Sequence, residues 1–116
     1  MVVRPQSMEI IEEHRTPDGL LRFVVERSLD GDLALGFDGY SWHTHGNILA
    51  SLSGLRVEDA VRAFIDDLLN GESFIGIARV GGKIQDVWVT DDPSPDKYKP
   101  DEETMEFRYW DGRAAV

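Results

Sequence analysis

Apolar and polar residues alternate along this chain in two distinct rhythms. Leu21, Phe23 and Val25 alternate with Arg22, Val24 and Glu26, and Leu33, Leu35 and Phe37 alternate with Ala34, Gly36 and Asp38. A period of two belongs to half-buried strands. Thr16-Pro17-Asp18-Gly19 and Asp30-Gly31 supply the turns between them, because Pro presets φ, Asp bonds back to the backbone and Gly takes the left-handed position. With a weaker strand over Met8 to Arg15, the first third of the chain predicts a three-stranded meander. From Val57 to Asn70 the period becomes helical: Val57, Ala60, Val61, Phe64, Ile65, Leu68 and Leu69 form one unbroken apolar stripe. Glu58 and Asp59 suit the first turn of a helix dipole, and Asn70-Gly71 is a ready stop. The only long helix is therefore expected within Arg56 to Gly71, with Phe64 and Leu68 as core residues.

After the helix, Phe74 to Val80 and Lys83 to Thr90 flank Gly81-Gly82, which predicts a tight hairpin. Asp91 to Glu103 is acidic and carries three of the five prolines, so it reads as a loop. Thr104 to Trp110 alternates again and predicts a last strand, with Trp88 and Phe107 as core or cross-strand residues. The expected architecture is α+β: a mostly antiparallel sheet of about six strands, in the order β-β-β-α-β-β-β, with one amphipathic helix on one face. Residues 1–116 are expected to form one domain, with flexible ends over 1–7 and 111–116.

Charge narrows the partners. The 116 residues hold 22 acidic against 12 basic side chains, a formal net charge of −10. Nucleic acid is not an expected partner, since phosphates must be met by Lys and Arg. Anionic membrane surfaces are disfavoured for the same reason. A basic protein fits, because complementary potential speeds encounter. There is no cysteine, which removes thiolate catalysis, disulfides and zinc–thiolate sites. The first residues, Met1-Val2-Val3-Arg4-Pro5-Gln6, show no apolar signal-peptide core, and no apolar run is long enough for a membrane helix. A cytoplasmic location is the expectation.

Candidate chemistry concentrates in Gly36 to Gly46. His43 and His45 stand two apart, so on an extended segment their imidazoles share a face and could hold zinc if a third ligand converged. Asp38 and His14 are the candidates for that ligand. The segment is similar over about a dozen residues to the JAMM metalloprotease motif, with Ser53 at a comparable spacing, but Arg56 stands where that motif needs its Asp ligand. No Gly-x-Ser-x-Gly, P-loop or dinucleotide fingerprint is present. The paired carboxylates Asp66-Asp67, Asp91-Asp92 and Asp101-Glu102-Glu103 lack calcium-loop spacing and read as solvated acidic surface.

A second resemblance covers roughly Asp32 to Val80. A strand ending in Phe37-Asp38-Gly39-Tyr40, then His43-Thr44-His45, then the helix Glu58 to Leu69 followed by Gly71-Glu72, resembles small bacterial immunity proteins of polymorphic toxin systems. The resemblance implies a binding protein that occludes a cognate toxin, and it carries over no individual residue. Tyr40, Trp42 and Tyr98 fall in loops, where packing demands aromatics least and interfaces use them most. Together with Asp91 and Asp92 they form the expected binding surface for a protein partner. A metal-dependent hydrolase using His43 and His45, with zinc, is the alternative, and a homodimeric or larger homo-oligomeric domain is a third.

Overall fold

A computed structural model describes residues 9–93 and 103–115. Among the described residues the fold is α+β, with seven strands and two helices. Strands β1 (Glu9–Arg15), β2 (Arg22–Arg27), β3 (Leu33–Phe37) and β4 (His43–His45) form one antiparallel sheet in that order. Helices α1 (Gly46–Ser53) and α2 (Val57–Leu69) follow. Strands β5 (Phe74–Val80), β6 (Lys83–Thr90) and β7 (Glu103–Arg108) form a second antiparallel sheet in the order β6-β5-β7. Two sheets thus replace the single one expected, and β4 and α1 are additions. Both additions are short and locally weak. His43-Thr44-His45 has no apolar alternation, and α1 has no charged residue or side-chain cap to announce it.

Packing explains why α1 forms. A Cβ on Gly46 would stand 3.0 Å from Val57 Cγ1 and 3.3 Å from Val61 Cγ2, so the bare backbone at this position lets α1 lie close against α2. The helix ends at Gly54, whose left-handed φ of 75° allows its N–H to reach the Ala50 carbonyl at 2.9 Å. Helix α2 has the limits its stripe predicts. Its buried residues are Ala60, Val61, Ile65 and Leu68. Phe64 is only partly buried and stacks on Phe23 at 6.3 Å between ring centroids. The core face is therefore rotated slightly from the expected centre, toward Ile65.

One core joins the inner faces of both sheets to α2. It contains Phe23, Val25, Leu35 and Phe37 from the first sheet and Ile75, Ile77 and Val87 from the second. On the outer face of the second sheet, Trp88 lies over Gly76 and meets Phe107 edge-on at 6.2 Å. A Cβ on Gly76 would collide with the indole, so the missing side chain makes room for the ring. The chain end does not run free over its described part. Ala115 donates to the Phe107 carbonyl at 2.8 Å and Tyr109 to that of Arg113 at 2.9 Å, so residues 111–115 fold back on β7. No helix among the described residues is long and apolar enough to cross a membrane.

The Thr16–Gly19 turn ties the sheets together. Thr16, 5% exposed, donates its hydroxyl to Asp18 at 2.7 Å and accepts the Leu21 N–H at 3.1 Å. Asp18 also accepts the Leu20 N–H and faces Arg108 of β7 at 3.4 Å. The Thr16 hydroxyl first, then the Leu20 N–H and the Arg108 charge, hold the Asp18 carboxyl below its ordinary value. A carboxyl lowered in the folded state adds stability above its unfolded pKa and loses it as pH falls through the folded value. Glu12 is lowered as well: burial opposes the shift, but hydrogen bonds from His14 and Arg62 outweigh it. In a pH series of thermal melts, stability should fall below about pH 4. Asp18→Asn should be less stable at neutral pH and show a shallower acid limb. An unaltered limb would mean that the turn does not hold Asp18 in this way.

Candidate functional site

Strand β3 carries its large residues inward and its small ones outward. Leu35 and Phe37 face the core, while Ala34 and Gly36 face the other side. Register then fixes what surrounds them. Gly36 pairs with Val24 on β2 and with His43 on β4, and Ala34 pairs with Glu26 and with His45. Directly paired residues share a face. The outer face of this sheet therefore has a floor of Ala34 and Gly36, one wall of Val24 and Glu26, and another of His43 and His45. The result is a cleft of about 330 Å³, closed at one end by the segment Asp38–Trp42.

That end segment is held by backbone bonds. Asp38 donates its N–H to the Arg22 carbonyl at 2.8 Å, and Tyr40 to that of Phe37 at 3.2 Å. Gly39 has φ of 90°, a conformation that favours glycine. Tyr40 is half-buried and packs against the core edge. Trp42 is half-buried on the cleft, and its carbonyl lies where a Cβ on Gly36 would stand 2.6 Å away. The missing side chain at position 36 thus allows the loop to descend on the strand.

The two imidazoles meet as their spacing predicts, edge to face at 4.9 Å between centroids. His43 Nδ1 lies 2.9 Å from the Ser41 carbonyl. His45 Nδ1 lies 3.2 Å from Asp32 Oδ2 without the alignment of a hydrogen bond, so this buried nitrogen has a charged neighbour but no hydrogen-bond partner. With Nδ1 engaged or buried on each ring, Nε2 is the nitrogen left for a ligand.

The candidate third ligands do not complete a metal centre. Asp38 lines the same cleft, but it accepts from Arg22 at 3.1 Å. His14 pairs with Phe23, on the core side of the sheet and at its opposite edge, where it bonds Glu12 at 2.6 Å. Among the described residues, no group of three or more His, Asp or Glu side chains is arranged to hold a metal ion.

Tyr40, Trp42, His43, His45 and Asp38 are thus brought to one cleft. Asp91 and Asp92 are not: they follow β6 of the second sheet, where the Asp92 N–H donates to the Thr90 hydroxyl at 3.0 Å. Tyr98 lies outside the described residues. Glu26, Val24, Ala34 and Gly36 complete the site, and no motif in the sequence marks them. The signal lay in the alternation of β3, where every outward position is small. Comparison of the chain with protein-family models, curated proteins and solved structures finds no match.

Proposed function

We propose that this chain is a non-enzymatic binding protein, an immunity-like module that holds a basic protein partner against the outer face of its first sheet. The observation that supports this most directly is the cleft. It combines the aromatic side chains of Tyr40 and Trp42 with the carboxylates of Glu26 and Asp38, on a chain of net charge −10. Half-buried aromatics give a partner apolar area at small entropic cost, and surrounding carboxylates steer a cation into place. The sequence resemblance to small bacterial immunity proteins points the same way and makes a toxin the expected partner. A cytoplasmic site of action fits that role.

The test is photo-crosslinking from the cleft. A photoreactive residue at Ser41 should capture a basic protein in cells of the source, and the capture should fall severalfold in Trp42→Ala with an unchanged melt. If the captured protein is a toxin, coexpression of the wild-type chain should restore growth and the Trp42 variant should restore it poorly. Zinc bound stoichiometrically through His43 and His45, together with hydrolysis of a substrate, would overturn the binding proposal in favour of a metal-dependent hydrolase.

A further inference from the structure

We propose that strand β4 is a two-imidazole chelate for a late first-row divalent cation (zinc, nickel or copper), held by Nε2 of His43 and Nε2 of His45. The site needs neither a partner protein nor a hydrolytic step, and it goes beyond the proposed binding function without resting on it.

Tautomer is the first ground. His43 Nδ1 lies 2.9 Å from the Ser41 carbonyl, and His45 Nδ1 lies 3.2 Å from Asp32 Oδ2. A carbonyl and a carboxylate only accept hydrogen bonds. A ring nitrogen that faces one carries its proton there, because a lone pair in the same place would be repelled. Each neutral ring therefore keeps its proton on Nδ1 and its lone pair on Nε2. That is the form in which an imidazole binds a metal ion.

The same two oxygens are the second ground. A ligating histidine turns its other nitrogen onto a backbone carbonyl or a carboxylate, which orients the ring and raises its basicity. His43 faces the first kind of oxygen and His45 the second. Asp32 is itself held in place, since Oδ1 accepts the Leu33 N–H at 2.9 Å. His45 Nδ1 is buried without a hydrogen-bond partner as the ring stands, and a small turn toward Oδ2 would satisfy it.

Separation is the third. Two imidazoles that aim Nε2 at one ion about 2.0–2.1 Å away have ring centres about 4.5–5.2 Å apart, for bond angles from square to tetrahedral. The centroids of His43 and His45 are 4.9 Å apart. Both rings can be reached: His43 is exposed, and the His45 side chain is 37% exposed. Among the described residues no third ligand joins them. Water would fill the other positions, and the affinity order should follow the ligands. Copper should bind above nickel and zinc, and magnesium and calcium, which prefer oxygen, should bind least.

The test uses the full chain and the metal ions alone. Zinc chloride is titrated into isotope-labelled protein while the ring nitrogens of the histidines are followed by NMR. Binding of one zinc per chain is expected. The Nε2 signals of His43 and His45 should move to metal-bound positions while Nδ1 stays protonated, and His14, which bonds Glu12, should not respond. Magnesium at the same concentration should move none of them, which separates the chelate from a general attraction of cations to a chain of net charge −10. His43→Ala and His45→Ala should each remove most of the zinc binding. Asp32→Asn, which removes the charge and keeps an acceptor for Leu33, should weaken it about tenfold. Zinc bound through Nδ1, a response of His14 equal to that of the pair, an equal response to magnesium, or undiminished binding in a folded His43→Ala variant would overturn the chelate. The two proposals fail separately. A basic protein crosslinked at Ser41 by a chain that binds no zinc rejects only the chelate. Zinc bound at the pair, with no partner captured from Ser41, rejects only the interface.

Discussion

Replacing Leu68 with alanine is expected to lower the unfolding free energy by about 2–5 kcal/mol. Leu68 is fully buried, at 0% exposure, in the core that α2 shares with both sheets. Truncation removes its transfer free energy and leaves a cavity that Phe37, Ile65 and Ile75, each in the same cluster, cannot fill without moving off their rotamers. For a chain of this length the midpoint should drop by roughly 8–20 °C. Phe64→Ala offers the internal control. Its ring is partly exposed and stacks on Phe23 from the margin of the core. Although the side chain is larger, less of it leaves water on folding, so its loss should cost less, about 1–3 kcal/mol. Calorimetric or denaturant melts of the two variants check the order. A larger cost at Phe64 than at Leu68 would mean that α2 is rotated on the sheets by part of a turn.

That order also shows how far the sequence reaches. An unbroken stripe gave α2 its limits, because apolar positions at helical spacing have few other ways to be buried together. The alternating runs gave β2, β3 and β7 for the same reason, and Gly81-Gly82 marked the hairpin of β5 and β6. The stripe could not say which of two adjacent apolar residues lies deepest, since Phe64 and Ile65 differ by about 100° around the helix and the choice depends on what α2 meets. Nor could it show that the strands divide into two sheets, which is settled by contacts between residues far apart in sequence. Helix α1 was hidden because its stability comes from the approach of Gly46 to Val57 and Val61 rather than from caps or charges. The site was half legible. His43 and His45 share a face through strand geometry alone. Asp91 and Asp92 were grouped with Tyr40 and Trp42 by composition, and the fold places them after a strand of the other sheet. Glu26 joins the cleft only through register, across Ala34 from His45.

Gly36→Ala should damage stability and the cleft together. The added methyl would stand 2.6 Å from the Trp42 carbonyl oxygen, 3.2 Å from His43 Cβ and 3.3 Å from His43 Cα. These are backbone atoms or atoms next to backbone, so no side-chain rotation can relieve the clash. The entry to β4 must lift away from β3, and Trp42 must lift with it. Overpacking of this kind costs about 1–3 kcal/mol. Gly39→Ala separates the two ways in which a glycine can matter here. Gly39 has φ of 90° and open space where a methyl would stand, so its substitution strains the loop backbone without filling space on the sheet. Gly36→Ala should shift the Trp42 indole signal. Gly39→Ala should lower stability while changing the floor of the cleft less. Denaturant melts and the indole resonance read the two effects independently. A Gly36→Ala protein with wild-type stability and an unmoved Trp42 signal would show that β4 does not pair with β3 in this register, and the cleft that depends on the pairing would go with it.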